Sequence, residues 1–346
     1  AAVHSRAARA ARAELGGGAS SSAERAAAGA ERLGLSRPYS SVEDLLADDD
    51  IDIVHICTPN STHAEYALAA LAAGKHVICE KPLATSSADA EALVRSAAER
   101  NLTATVPFVY RFHPLVREAR ARVAAGEVGR LLTIHGGYLQ DWLAEPLSDD
   151  WRVSVGLGGP SRAFADIGSH LVDLLEFVTG DRIARLSARS RTAHSERGEH
   201  RDIATEDLVA LVVELEGGAV GSLLVSQVAP GRKNSLVLEI AGTAESIRFD
   251  QERPDELWIG RRVGSERLLR DPDALHPSAA RLSVLPAGHP MGYQDAFNAF
   301  VADSYAAVGG QDPDGLPRFA DGLRAARVTD AVLESAASGR WTEVVR

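Results

Sequence analysis

The sequence predicts a two-part chain: an α/β half on a doubly wound parallel sheet, then a half dominated by a large, open, mostly antiparallel sheet. Three observations carry that expectation. Across residues 1–110, short apolar runs alternate with Ala-rich helical stretches, the pattern of parallel β-α-β units. From about Arg130 the apolar runs lengthen and succeed one another through turns such as Glu216-Gly-Gly and Gly242-Thr-Ala-Glu, too short for crossover helices. The length of 346 residues exceeds what one hydrophobic core usually supports. The boundary is therefore placed at 112/113, with a closing helix over 319–338 inside a second domain of residues 113–346.

Each element has its own warrant. Ala1–Arg12 is helical, and Glu14–Ser20 is a strand weakened by its glycines. Ile51–Cys57 is a clear strand that stops at Thr58-Pro59-Asn60. Thr62 is placed to cap a helix through Ala73, with Glu65 three residues later as a capping box and Gly74 as the stop. His76–Cys79 is the next strand, ending at Glu80-Lys81-Pro82; a helix over Ser87–Arg100 leads to a third strand over Thr103–Val109. In the second half the strands are Leu131–Tyr138, Ala184–Thr192, Asp207–Glu214, Ala219–Val228, Leu236–Ala241, Ser246–Asp250 and Glu256–Ile259. Helices over Gly168–Phe177, Gln294–Val308 and Phe319–Ser338 complete it.

Composition narrows the function. A net charge of −11 argues against binding a nucleic-acid backbone. With 45% hydrophobic residues and a mean hydropathy of −0.09, the chain has material for packed cores and no run long enough to span a membrane. Cys57 and Cys79 form no Cys-x-x-Cys pair and no disulfide framework, which fits a reducing cytoplasm. The acid-free Ala1–Arg12 stretch is superficially like a transit peptide, but it continues as helix then strand and is read as part of the domain. Small-molecule chemistry is the expectation that remains.

Ligands of open α/β sheets bind beyond the carboxyl ends of the strands, where Thr58-Pro59-Asn60 and Glu80-Lys81-Pro82 both fall. Lys81 there is placed toward a cleft, while His63 either donates to a ribose or phosphate or starts its helix. A second constellation is Asp166-x-Gly-x-His170-x-x-Asp173, whose helical spacing puts Asp166, His170 and Asp173 on one face. A carboxylate one turn from an imidazole orients it and raises its basicity, which suits a general base; a capped helix start with a backbone-satisfied His is the plainer alternative. No paired His or Glu-x-x-His helix accompanies it, so no metal is expected. Tyr110-Arg111-Phe112-His113-Pro114, Tyr138, Gln140, Asp141, Trp142 and Trp151-Arg152 offer the aromatic faces and polar donors that pyranose recognition uses. His194–His200 reads as a charged, solvated loop.

Thr58-Pro59-Asn60-x-x-His63, Glu80-Lys81-Pro82, Asp166-x-Gly-x-His170-x-x-Asp173 and the closing Phe319-Ala-Asp-Gly-Leu with Glu334-Ser-Ala-x-Ser-Gly339 occur in order over nearly the whole chain. Together they resemble the glucose–fructose oxidoreductase, inositol dehydrogenase and rhizopine catabolism (Gfo/Idh/MocA) family. The resemblance implies an N-terminal Rossmann dinucleotide-binding domain and a C-terminal domain whose open sheet often serves oligomerisation, so a homo-oligomer, dimer or tetramer, is expected. It implies NAD or NADP as cofactor, with Ser20, Ser21, Thr58, Pro59, Asn60, His63, Glu80 and Lys81 around it. Lys81, Asp166 and His170 inherit the catalytic roles: His170 as acid/base on a sugar or polyol hydroxyl, Lys81 stabilising the alkoxide, Asp166 supporting His170. Tyr110, Gln140 and Arg152 are similar in placement to substrate contacts.

Two departures qualify the likeness. The family opens with a strand and a Gly-x-Gly-x-x-Gly turn, whereas Ala1-Ala-Val-His4 reads as the continuation of such a turn, so the first strand is expected to be missing from this chain. Ala19-Ser20-Ser21-Ser22 stands where an acid would hold an NAD ribose; with Arg25 nearby, the sequence leans slightly toward NADP. Two other functions share the scaffold: an NAD-dependent glycosidase, and a cofactor-sensing regulator that would need neither Lys81 nor His170.

Overall fold

A computed structural model describes residues 1–346, and the chain divides into two compact units. The first comprises Ala1–Ala84, Ala88–Val109 and Tyr293–Leu323; the second comprises Thr85–Ser87, Tyr110–Gly292 and Arg324–Arg346. The chain leaves the first unit at 109/110, within three residues of the expected 112/113 boundary, but residues 293–323, expected in the second domain, return to the first unit. The reason is packing: helix Tyr293–Val308 lies against helix Ala2–Ala10, with the His4 ring 4.7 Å from the Phe297 ring and the Gln294 amide donating to Val3 O.

In the first unit the strands are β1 (Gly17–Gly18), β2 (Arg37–Pro38), β3 (Ile53–Ile56), β4 (His76–Cys79) and β5 (Ala104–Thr105). They form two parallel ladders, β1–β2 and β3–β4–β5. The strand expected over Glu14–Ser20 shrinks to two glycines, which have no side chains to bury, and β2 was not foreseen. The strand expected over Thr103–Val109 stops at Thr105; Val106 N donates instead to Pro317 O, and Pro107 has no N–H to continue the ladder. Thr62 does not cap its helix. It sits in a 3₁₀ turn over Asn60–Thr62, its hydroxyl lies 2.7 Å from Thr58 Oγ1 and 2.8 Å from Pro59 O, and the helix starts at His63.

The second unit is built on nine strands: β6 (Leu131–Leu139), β7 (Ile183–Arg191), β8 (Leu208–Leu215), β9 (Val220–Ser226), β10 (Ser235–Gly242), β11 (Ser246–Asp250), β12 (Glu256–Arg261), β13 (Gly264–Leu269) and β14 (Thr342–Glu343). Their spatial order is β13-β12-β11-β10-β6-β9-β8-β7-β14. Every neighbouring pair is antiparallel except β6–β9. Strands β13 and β14 lie outside the sequence expectation. Alternation sets the two faces: in β8, Val209, Leu211, Val213 and Leu215 are buried while Ala210 and Val212 are exposed. The buried face packs with Leu171, Leu174, Leu175 and Val178 of helix Ser169–Thr179 and with Val328 and Val332 of helix Phe319–Ser338. Each such side chain contributes about 1.5–3 kcal/mol on leaving water.

The helix expected over Gly168–Phe177 is preceded by a π-helical turn, Phe164–Gly168, before regular helix runs from Ser169 to Thr179. Glu206 supports that entry: its Oε1 accepts from Ser161 Oγ, Arg162 N and Phe164 N at 2.7–3.0 Å. The two backbone N–H groups among them are of the kind that the start of a helix leaves unpaired.

Candidate active site

In the first unit, the parallel register of β3 and β4 brings Thr58-Pro59-Asn60 and Glu80-Lys81-Pro82 to the same strand ends. Glu80 N donates to Ile56 O, which carries the ladder one residue further, and the Lys81–Pro82 peptide is cis. His63 joins the two turns: Nδ1 lies 2.7 Å from Pro82 O and Nε2 3.0 Å from Thr58 O, with the residue fully buried. Burial outweighs the pull of those carbonyls and lowers its pKa, so a neutral ring bonds one carbonyl fully. Both nitrogens face the backbone, so His63 braces the site and starts its helix, the second of its two readings, and neither nitrogen is left for a ribose or phosphate.

Glu80 is anchored from behind. Its Oε1 lies 2.9 Å from His4 Nε2, and Oε2 accepts from Lys81 N at 3.1 Å. Burial alone would raise this carboxyl, but the hydrogen bond and charge of His4 hold it at about 2. Burial also opposes the His4 imidazolium; the Cys57 and Glu80 side chains outweigh it and lift His4 to about 9. His4 Nδ1 then donates to His55 Nδ1 at 2.9 Å, and His55 Nε2 reaches the Tyr305 hydroxyl at 2.9 Å. Burial, reinforced by the His4 charge, keeps His55 neutral, with a pKa of about 3. Gly322, in the closing motif, backs onto Leu83 just beyond Pro82; a Cβ there would fall 2.8 Å from the Leu83 side chain, so only glycine lets the helix approach.

Ser20 and Ser21 are exposed beyond the end of β1. Ser22 caps helix Ala23–Leu33 by accepting from Arg25 N, and Arg25 Nη1 donates to Ser21 Oγ at 3.1 Å. Hydroxyls beside a helix N-terminus, with Asn60 and Lys81 at parallel strand ends, form a donor set that fits a dinucleotide.

In the second unit, His170 is 6% exposed, its ring edge-on to Tyr110 at 5.1 Å and 6.4 Å from Tyr138. Asp166 accepts from Gln227 Nε2 at 2.8 Å and lies 3.7 Å from Arg152 Nε. Asp173, read from spacing as a companion of His170, is a buried partner of Arg111, with Nε at 2.8 Å and Nη2 on the other oxygen. The Tyr110 and Tyr138 hydroxyls are 2.5 Å apart; Tyr138 also donates to Asn234 Oδ1, and Asn234 Nδ2 lies 3.3 Å from the Tyr110 hydroxyl. Gln140 donates to Asn234 Oδ1 and accepts from Trp142 Nε1 at 2.9 Å. Burial raises the Tyr110 phenol, which therefore stays protonated as a donor.

Tyr110, Gln140, Arg152, Asp166 and His170 thus share one unit, while Lys81, Glu80 and His63 belong to the other. Asn234 and Gln227 escaped the sequence reading. The signal available was a polar residue at a strand end: parallel β6 and β9 deliver Gln140 and Gln227 to one end of the sheet, where antiparallel β10 begins next to Asn234. Arg197, read as part of a solvated loop, is fully buried.

Residues 1–108 match the family described as "Oxidoreductase family, NAD-binding Rossmann fold", and residues 116–248 match the "GFO/IDH/MocA C-terminal domain". The chain belongs to the Gfo/Idh/MocA oxidoreductase family. It is 34% identical to levoglucosan dehydrogenase of Pseudarthrobacter phenanthrenivorans, over 93% of this chain and 87% of that one. Among solved structures it is similar to an oxidoreductase domain protein from Kribbella flavida, at 37% identity, TM-score 0.92, and coverage of 100% and 96% of the two chains. A levoglucosan dehydrogenase in complex with NADH and levoglucosan matches at 33% identity and TM-score 0.92, covering 99% and 96%. As a member of this family the chain is an oxidoreductase with an NAD-binding domain. The slight lean toward NADP finds no support in these relatives. No helix is long and apolar enough to cross a membrane.

Proposed function

We propose that this oxidoreductase oxidises a hydroxyl-bearing carbon of a pyranose-like sugar, an anhydrosugar or a cyclic polyol, with NAD as hydride acceptor. The observation that carries this reading is the setting of His170: a buried imidazole against two tyrosines, in a network that closes through Asn234, Gln140 and Trp142. Such an arrangement offers a ring face and several directed donors and acceptors, which suits a polyhydroxylated ring better than an apolar substrate. The names of the relatives point the same way.

The chain's residues divide the work. When bound, the nicotinamide supplies hydride acceptance at carbon. Ser20, Ser21, Thr58, Pro59, Asn60, Glu80 and Lys81 hold the dinucleotide, and His63 keeps their turns in place. His170 takes the hydroxyl proton as general base, Asp166 supports it through the Gln227 and Arg152 contacts, and Lys81 stabilises the alkoxide charge. Tyr110, Gln140 and Arg152 orient the substrate.

The face of the large sheet opposite the helices exposes Val212, Val220 and Leu224 on β8 and β9, and we assign it to homo-oligomer contact. Light scattering tests that assignment. For the reaction, the test is reduced-cofactor absorbance across pyranoses, anhydrosugars and inositols with NAD and NADP in parallel. Net cofactor reduction with at least one of them is expected. Glycoside cleavage without net reduction, or no turnover with any of them, overturns the reading.

A further inference from the structure

The connection from β7 to β8, residues 192–207, lies outside every role assigned to the site, yet it contains a fully buried arginine and two fully or nearly fully buried acids. Arg197 Nη2 donates to Asp207 Oδ1 at 2.8 Å, while Nη1 reaches the carbonyls of Glu145 at 3.0 Å and Ser148 at 3.3 Å. Those carbonyls belong to the segment 141–154, which carries Trp142, Trp151 and Arg152. Asp207 also pairs with Arg162 and accepts from Ala193 N and His194 N. The adjacent Glu206 holds the start of the turn that leads to Asp166 and His170. Neighbouring carboxylates therefore tie down both the entry to His170 and, through Arg197, the segment of Arg152.

The start of that segment is held from residues 227–233, where Leu143 N donates to Gln227 O and Asp141 accepts from Gly231 N and Lys233 Nζ, whereas its middle leans on the 192–207 connection. Its local apolar core is Leu143 and Val153 packed with Ile203 of the same connection. At the rim, His200 Nδ1 lies 2.9 Å from Asp149, and His194 Nε2 lies 3.2 Å from Ala144 O. A peptide carbonyl bonded to a buried guanidinium has no water to replace that donor, so the course of 141–154 depends on Arg197 being in place.

We propose that residues 192–207 act as a buckle that sets the position of Arg152 and its neighbouring tryptophans relative to His170, making Arg197 and Asp207 positioning residues for substrate selection. The selection part rests on the proposed sugar or polyol oxidation; the mechanical part does not.

Gly198 gives the mildest test. It is exposed, its φ of +52° is left-handed, and a Cβ there would fall 2.5 Å from Asp149 Oδ2, so Gly198→Ala pushes on the rim without touching the buried charges. Arg197→Met removes the clasp, and Arg197→Lys restores one donor. For Gly198→Ala and any folded Arg197→Met, the substrate KM is expected to rise about tenfold, with kcat within about threefold and the NAD KM unchanged. Arg197→Lys should recover part of the loss. Amide exchange without ligand should quicken over 141–154 and stay unchanged over 169–179. Unchanged exchange over 141–154 overturns the buckle, as does loosening spread equally into 169–179. Loosened exchange with an unaltered substrate KM overturns its part in selection. If the unsubstituted protein turns over no sugar or polyol, the functional reading fails and the selection claim with it; exchange still decides the mechanical claim.

Discussion

Two buried histidines define the contrast between the two units. His63 spends both ring nitrogens on backbone carbonyls, Pro82 and Thr58, and so locks one turn to another. His170 is packed among hydroxyl-bearing rings and stands one helical turn from a carboxylate that other side chains already orient. The degree of burial does not tell them apart; the kind of partner does. A histidine whose partners are peptide groups serves the backbone, whereas one surrounded by side chains that exchange protons is equipped for chemistry.

Substitution should widen that contrast. The largest effect is expected at His170→Asn, with turnover down about 10²–10⁴-fold and the denaturation midpoint little changed, because acid/base catalysis typically contributes that much. Lys81→Ala should behave alike, being half-exposed and outside the hydrophobic core. His63→Ala should do the reverse, costing about 1–3 kcal/mol in urea denaturation while much of the turnover survives. If His63→Ala abolished turnover at full stability, the distinction would collapse. Next in size is Asp173→Asn, which removes the carboxylate charge that pairs with the buried Arg111; a loss of about 3 kcal/mol is expected, with kcat of the folded fraction near normal.

A pH dependence extends the comparison further. His55 and His113, held by burial at about 3 and about 4, stay neutral when folded, so stability falls as pH drops below 6.5 and the unfolded chain takes up protons. Glu80 is displaced from 4.5 to about 2, so its stabilisation is present above 4.5 and is lost as pH falls toward 2. Glu80→Gln should remove that lower segment, roughly 3 kcal/mol, and leave the upper one. Denaturation midpoints of both proteins across this range would show it; parallel curves would refute the His4–Glu80 ion pair.

Legibility in the sequence divides along the same line. The first unit's site was legible because Thr58-Pro59-Asn60 and Glu80-Lys81-Pro82 are contiguous and each terminates an apolar run. His170 and Asp166 were legible from helical spacing, but the π turn was not, since its composition is that of ordinary helix. Asn234, Gln227 and Arg197 stayed hidden because their meaning depends on β6 lying between β9 and β10, a pairing between segments roughly a hundred residues apart in sequence. Arg197 shows the trap plainly: the charge-rich stretch around it looks solvated, and only the buried Asp207 reverses that inference.

The single parallel pair of the nine-stranded sheet, β6 beside β9, has a consequence for how such an enzyme changes over time. The residue just past each strand projects at the same end of the sheet while the strands themselves keep their register. Exchanging Gln140 would therefore redraw that end of the sheet without disturbing the hydrogen-bonded frame, whereas Gln227, fully buried on Asp166, is tied to the site itself. One scaffold could in this way be retuned among related polyols by single substitutions.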